Sequence, residues 1–243
     1  MKFTEVFRRR RLPHWDVPGA IYFVTTCLHG SIPAQGLLAV QRYREELGRR
    51  PVPAGLTPED WKVRQWKLAF ARADDWLDHR PAVRHFADGR LAAQMVDAID
   101  HFLGVRYDVL AYVVMPSHVH WVFQPLEQWV QEIEGKATGM PDSRQAGGLP
   151  HVRTPRERIM HSLKTHTALE CNRLLGREGT FWQAESYDHC VFDVDELERV
   201  IRYIENNPVL AGLAVAAEDW PYSSARDRKL ANLPFGHPLP RRS

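Results

Sequence analysis

The sequence predicts an α+β fold, an antiparallel β-sheet with helices packed on its faces. Three observations lead there. Residues 107–115, "YDVLAYVVM", and 116–125, "PSHVHWVFQP", both read as strands, and the turn between them is confined to Met115-Pro116-Ser117. A connection that short pairs strands antiparallel, because a parallel pair needs a crossover of a dozen or more residues. Residues 88–105, "DGRLAAQMVDAIDHFLGV", place Leu91, Met95, Ile99 and Leu103 four apart, the stripe of an amphipathic helix. Further strand-like and helix-like segments are interspersed along the rest of the chain.

Each element has a local reason. "GAIYFVTTCL" (19–28) is rich in aromatic and β-branched residues and reads as a strand. Residues 36–49 look helical until "RRPVPAGLTP" breaks the pattern with three prolines. Residues 58–79 read as one or two helices, with Thr57 as N-cap and Pro58 at the first helical position. Asp88 can cap the 88–105 helix. Residues 131–155 hold Gly135, Gly139, Pro141, Gly147, Gly148, Pro150 and Pro155, which predicts a flexible loop. A helix is expected over 156–175 and a strand over 187–194. A second amphipathic helix spans 195–207, capped by Asp195 and stopped by Pro208. The C-terminal "WPYSSARDRKL" looks like a docked segment followed by a loose basic tail.

Composition bounds the class. The chain has 243 residues, enough for one large domain, and at 44% hydrophobic and 26% charged it reads as globular. It holds no apolar run long enough to span a bilayer and no apolar signal-like segment near its start. Cys27, Cys171 and Cys190 are too few and too scattered for a disulfide framework, so reduced thiols and a cytoplasmic setting are expected. The net charge of +2 says little. The clusters say more: Arg8, Arg9, Arg10 and Arg11 stand together, and Arg153, Arg156, Arg158 and Lys164 face a single Glu157. Such clusters suit phosphate backbones, and they equally suit a solvated surface.

The residues that suggest chemistry lie in "VVMPSHVHWVF" (113–123). Side chains alternate along a strand, so His118 and His120 share one face while Val119, Trp121 and Phe123 share the other. The two imidazoles stand about 7 Å apart along the strand, and their tips can converge on one cation. A chance pair on a partly polar sheet face fits the same pattern. No second Cys or His pair stands at ligand spacing, which points to an incomplete shell shared with oxygen ligands. That is the open arrangement of phosphate chemistry with Mg²⁺ or Mn²⁺. In "LERVIRYIENNP" (197–208), Leu197, Val200, Ile201 and Ile204 form a core stripe, and Tyr203 and Asn207 sit one turn apart on its shoulder. They can supply a phenol and an oxygen ligand to one site, or be an edge tyrosine and a helix stop.

"VVMPSHVHWVF", "FWQAESYDHCV", "YIENNPVLAGL" and "DWPYSS", in this order, resemble the REP-associated tyrosine transposases, single-tyrosine members of the HUH superfamily. The resemblance takes in "YFVTT" and runs from about 88 to 225. It implies a ferredoxin-like HUH-endonuclease sheet, His118, His120 and Asn207 as metal ligands, and Tyr203 as nucleophile. It also implies single-stranded DNA as partner, a hairpin of the repetitive extragenic palindromic type, handled in the cytoplasm at the nucleoid. Tyr203 would attack phosphorus to leave a 5′-phosphotyrosine and a free 3′-OH, and a second 3′-OH would reverse the step and join strands. A free phenol titrates near ~10, so a cation would have to assist. Residues 1–243 then form one domain with a helical insertion at about 35–87 and the loop at about 131–155. Arg8, Arg9, Arg10, Arg11 and Lys164 are the expected DNA contacts. Trp182 reads better as core than as a base-stacking platform, and Glu196 reads as a solvated carboxylate at a helix start. Two other functions fit the same residues: a hairpin-binding protein without catalysis, and a metal hydrolase using water.

Overall fold

Alternation along one strand decides how the molecule is layered. The computed structural model describes residues 6–9, 13–17, 19–138, 153–184 and 186–242. They form β1 (Val6–Arg9), β2 (Pro13–Asp16), β3 (Ile21–Cys27), α1 (Ala34–Arg49), α2 (Pro58–His79), α3 (Gly89–Asp100), β4 (Tyr107–Val114) and β5 (His118–Pro125). Then follow α4 (Glu127–Thr138), α5 (Pro155–Leu174), β6 (Tyr187–Val191), α6 (Val194–Leu210) and α7 (Ser224–Ala231). On β5, Val119, Trp121 and Phe123 enter a core built with Tyr22 and Val24 of β3, Leu91, Met95 and Ile99 of α3, and Ile159 and Leu163 of α5. Val122, two residues from His120, enters the opposite core, with Phe23, Ala111, Val113, Phe70 of α2, and Ile201 and Ile204 of α6. The sheet is therefore a middle layer, with α3 and α5 on one side and α2 and α6 on the other.

The four main strands run in the order β4-β5-β3-β6, every neighbour antiparallel. In chain order the core is strand–helix–strand–strand–helix–strand, the ferredoxin-like arrangement that the sequence predicts. The register sets Thr25 beside His120 and Cys27 beside His118. The β4 edge is covered by the C-terminal segment. Val114 N donates to Tyr222 O at 2.9 Å, Tyr112 N to Ser224 Oγ at 3.1 Å, and Trp220 Nε1 to Val114 O at 3.0 Å. Covering an edge in this way blocks unwanted strand pairing.

Helix ends agree with the expected caps at Thr57 and Asp88, whose side chains accept from Asp60 N and Arg90 N. Several boundaries differ. The helix expected over 88–105 ends at Asp100, and the strand expected over 187–194 ends at Val191. The cap of α6 is Asp193, not Asp195: its carboxylate accepts from Glu196 N at 2.6 Å. Pro208 does not stop α6 but lies inside it. The helix ends at Leu210, and Gly212 beyond it, with a left-handed φ of +67°, lets Leu213 N reach Pro208 O (2.8 Å) and Gly212 N reach Val209 O (3.0 Å). The expected loop at 131–155 begins late, because 131–138 continues α4; "QEIE" and "KA" are good helix formers and outweigh Gly135. Residues 139–152 lie outside the described residues. The β1–β2 pair and α7 had no expectation attached to them. The three cysteines are free and buried, and among the described residues no helix is long and apolar enough to cross a membrane.

Candidate metal and tyrosine site

His118 and His120 lie on the α2/α6 side of the sheet, both with no exposed surface. Their Nε2 atoms face each other at 2.9 Å. The far side of each ring is held by a hydroxyl. His118 Nδ1 lies 2.9 Å from Ser117 Oγ, and that hydroxyl donates its own proton to Leu77 O at 2.9 Å. Ser117 therefore accepts from His118 Nδ1–H, which leaves a lone pair on Nε2. His120 Nδ1 lies 2.6 Å from Thr25 Oγ1. Such outer hydrogen bonds fix the tautomer and aim of a ligating imidazole.

Two carboxylates from α2 complete the cluster. Asp74 Oδ1 is 3.3 Å from His120 Nε2 and 3.9 Å from His118 Nε2. Asp78 Oδ1 is 3.4 Å from His118 Nε2. Neither Oδ1 has a hydrogen-bond partner. Asp74, His118 and His120 each present a ligand atom within 4.8 Å of the others, so the three could hold a metal ion. Without a cation, every group is driven toward neutrality. Burial pushes His118 down to about 3, with His120 adding to it and Asp74 opposing. Burial likewise pushes His120 down to about 4 against the pull of Asp78. Burial raises Asp74 and Asp78 above the usual carboxylate range, and Asp74 raises Asp78 further.

Helix α6 brings two more groups. Asn207 is fully buried, and neither its amide oxygen nor its nitrogen makes a hydrogen bond. The side chain still favours the charged form of Asp78, so it stands beside the cluster at more than bonding distance. The half-buried Tyr203 packs its ring on His120, with centroids 5.5 Å apart, and edge-on to Phe23 at 6.2 Å. The structure thus gathers His118, His120, Asn207 and Tyr203 on one side of the sheet.

Other expectations end elsewhere. Lys164 turns inward: Nζ donates to Gln183 O at 2.5 Å and Ala184 O at 3.4 Å, and burial pulls it down to about 8. Two carbonyls thus engage the ammonium of this partly buried lysine. Arg156 is buried against Asp188 at 3.2 Å. The backbone of Arg8 and Arg9 belongs to β1, with Arg8 opposite His14, and Arg10 and Arg11 lie outside the described residues. Trp182 is core, with Nε1 donating to Thr167 Oγ1 at 2.9 Å. Glu196 is not solvated. It is buried and binds Lys67 Nζ (2.6 Å), His189 Nε2 (2.9 Å) and Phe192 N (3.1 Å).

Asp74 and Asp78 were missed in the sequence, although a signal exists. Phe70, Ala73, Asp74 and Leu77 share the buried stripe of α2, so Asp74 stands where an apolar residue belongs. Asp78, four residues on, repeats its charge on the same side of the helix.

No protein-family model matches the chain. A curated Haemophilus influenzae protein named as a REP-associated tyrosine transposase is 27% identical over 118 residues, which is 49% of this chain. The match spans 58% of that relative's length. A solved structure described as a REP-associated tyrosine transposase bound to a REP hairpin is 14% identical, with a TM-score of 0.41 over 99% of this chain and 94% of that one. The fold assignment rests on the strand order above.

Proposed function

We propose that this protein is a metal-dependent single-stranded DNA transposase, a nickase and strand joiner in which Tyr203 is the nucleophile. The observation that carries the reading is the position of Tyr203, whose ring rests on His120, the imidazole whose Nε2 faces His118 Nε2. The named relative adds support.

The donor set suits a divalent cation: two imidazole Nε2 atoms 2.9 Å apart, and buried carboxylate and amide oxygens that make no hydrogen bond. His118, His120 and Asn207 would hold Mg²⁺ or Mn²⁺, and the ion would act as Lewis acid on the scissile phosphate. Ser117 and Thr25 keep the two rings aimed. Phe23 and His120 each pack edge-on to the Tyr203 ring, which would limit its motion and favour one aim of the phenol. Tyr203 Oη forms the bond to phosphorus as the bond to the 3′ oxygen breaks. The phenol gives up its proton, the departing 3′ oxygen gains one, and a 5′-phosphotyrosine remains. A second 3′-OH attacking that ester restores the phenol. Water takes no part as nucleophile, which separates this reading from a hydrolase.

The DNA we assign is a hairpin of the repetitive extragenic palindromic type, met in the cytoplasm at the nucleoid, with Arg8, Arg9, Arg10 and Arg11 following its phosphates. The test is incubation with single strands from the flanks of the protein's own gene and Mn²⁺, followed by denaturing electrophoresis. Wild type should carry a covalent 5′ adduct. Tyr203→Phe removes one oxygen and keeps the ring, so it should bind DNA nearly as well and form no adduct. An adduct on Tyr203→Phe would overturn the assignment.

A further inference from the structure

We propose that α2 is part of the metal centre, with Asp74 and Asp78 as ligands of the bound cation, so that the ion fastens this helix to the sheet. The proposal rests on the cation reading of the histidine pair, and it needs neither the tyrosine chemistry nor DNA.

The first argument is a contrast among buried acids. Among the described residues, Asp188 pairs with Arg156, Glu205 with Arg228, and Glu196 with Lys67. Asp74 is just as buried, at 4% exposure, yet no Lys or Arg among the described residues pairs with it, and its Oδ1 faces the imidazoles of His118 and His120. Buried charges in proteins are paired or bind metals. A carboxylate with a bare buried Oδ1, 3.3 Å from His120 Nε2, fits the second case.

The second argument is that the helix is positioned from several sides. Its start carries a capping box at Thr57 and Asp60. Lys67 reaches Glu196 of α6, and Trp66 packs on His189 of β6 at 5.7 Å. Phe70 meets Phe23 edge-on at 5.8 Å. Leu77 O accepts from Ser117 Oγ, the hydroxyl that also aims His118. Helix α1 closes on the outer side so tightly that a Cβ on Gly36 would lie 2.8 Å from the Trp76 ring. A helix fixed this firmly brings two acids, four residues apart, to two imidazoles. Like charges at that spacing repel, and without a cation an apolar pair would serve the fold better.

The third argument is the identity of the donors. Two neutral imidazoles and two carboxylates neutralise a divalent ion. Imidazole suits later first-row metals, whereas Mg²⁺ favours oxygen and water. The mixed nitrogen and oxygen set therefore favours a first-row transition ion over Mg²⁺, and Mn²⁺ serves as its probe. Asp78, with 10% of its side chain exposed against 6% for Asp74, is the ligand better placed to yield to an incoming phosphate oxygen.

The experiment uses the full chain and Mn²⁺ alone as probe. Thermal unfolding is followed in chelator and in saturating Mn²⁺, with calorimetric titration alongside, for wild type, Asp74→Asn, Asp78→Asn and His118→Ala. Asp74→Asn keeps the shape and removes the uncompensated charge. It should unfold above wild type in chelator and below it in Mn²⁺, and its affinity for Mn²⁺ should fall by ~10–100-fold. A merely structural aspartate would not reverse sign. Asp78→Asn should show the same reversal with a smaller loss. Hydrogen exchange across 66–79 should slow on Mn²⁺ addition in wild type and not in Asp74→Asn. The proposal is overturned if both Asn variants keep wild-type Mn²⁺ affinity while His118→Ala loses it, or if wild type binds no Mn²⁺. A protein that binds Mn²⁺ through Asp74 yet forms no DNA adduct would leave this inference standing and remove the transposase reading.

Discussion

Two clusters of histidine and carboxylate lie beneath α2 on the same side of the sheet, and they are built differently. In one, Glu196 receives Lys67 Nζ, His189 Nε2 and Phe192 N within 3.1 Å. Its charges balance and both carboxylate oxygens are bonded. In the other, the Nε2 atoms of His118 and His120 face each other with Asp74 Oδ1 and Asp78 Oδ1 around them, and both Oδ1 atoms lack hydrogen bonds. Histidine beside carboxylate therefore does not by itself mark a functional site. What separates the two is whether the polar atoms have already spent their bonding capacity. A closed cluster ties elements together, here α2 to α6 and β6. An open one holds its fold at a cost that a bound cation would offset.

The sharpest way to break this contrast is to damage each cluster and ask what fails. His120→Ala removes a proposed ligand and the ring on which Tyr203 rests. Adduct formation should fall by ~10²-fold or more, the scale seen when one transition-state stabiliser is lost. Metal-free unfolding should also fall, because truncating a fully buried ring leaves a cavity, so the diagnostic readout is adduct formed per folded molecule. Glu196→Gln should leave that readout alone. Losing charge-assisted hydrogen bonds costs roughly 2 kcal/mol, or ~4–8 °C of melting temperature at this size, with adduct formation near wild type. If Glu196→Gln stopped the chemistry and left stability alone, the roles assigned here would be exchanged.

The sequence made one half of the open cluster legible and hid the other. His118 and His120 are readable because strand alternation is local: a period of two fixes which side chains share a face. Tyr203 and Asn207 follow from the helical period in the same way. Asp74 and Asp78 belong to a helix 40 residues upstream, and which face of the sheet that helix covers is a tertiary decision that no local period encodes. The segment 35–87 thus reads as an addition to the fold, while its second helix delivers two carboxylates to the site. Pro208 misled for a related reason. Proline discourages helix interiors, but here the left-handed turn at Gly212, four residues on, decides where α6 ends.

A smaller effect concerns the basic segment at 8–11, which belongs to neither cluster. Changing Arg8, Arg9, Arg10 and Arg11 to Ala should weaken binding to all single strands alike. Each lost phosphate contact should remove ~0.7 from the slope of log affinity against log salt. A filter-binding titration at several salt concentrations measures this. Unchanged general affinity with altered sequence preference would mean that the segment reads bases.

The smallest predicted effect is a pH dependence confined to the closed cluster. Burial opposes the charge on Glu196, but the bonds from Lys67, His189 and Phe192 N overcome it and hold the carboxyl down to about 2, against an ordinary 4.5. A carboxyl whose folded value lies below its unfolded value stabilises the fold above the unfolded value. That stabilisation fades as pH falls through the folded one. The stability gap between wild type and Glu196→Gln should therefore be full above about pH 5, shrink below 4.5, and be nearly gone near pH 2. Taking the difference cancels the open cluster, since His118, His120, Asp74 and Asp78 titrate alike in both proteins and lie outside the Glu196 hydrogen bonds. Chemical unfolding of the pair at a series of pH values, in chelator, gives the gap directly. A gap that stayed constant down to pH 2 would mean that Glu196 is not held as a carboxylate in the fold, and the contrast between a closed and an open cluster would lose its first member.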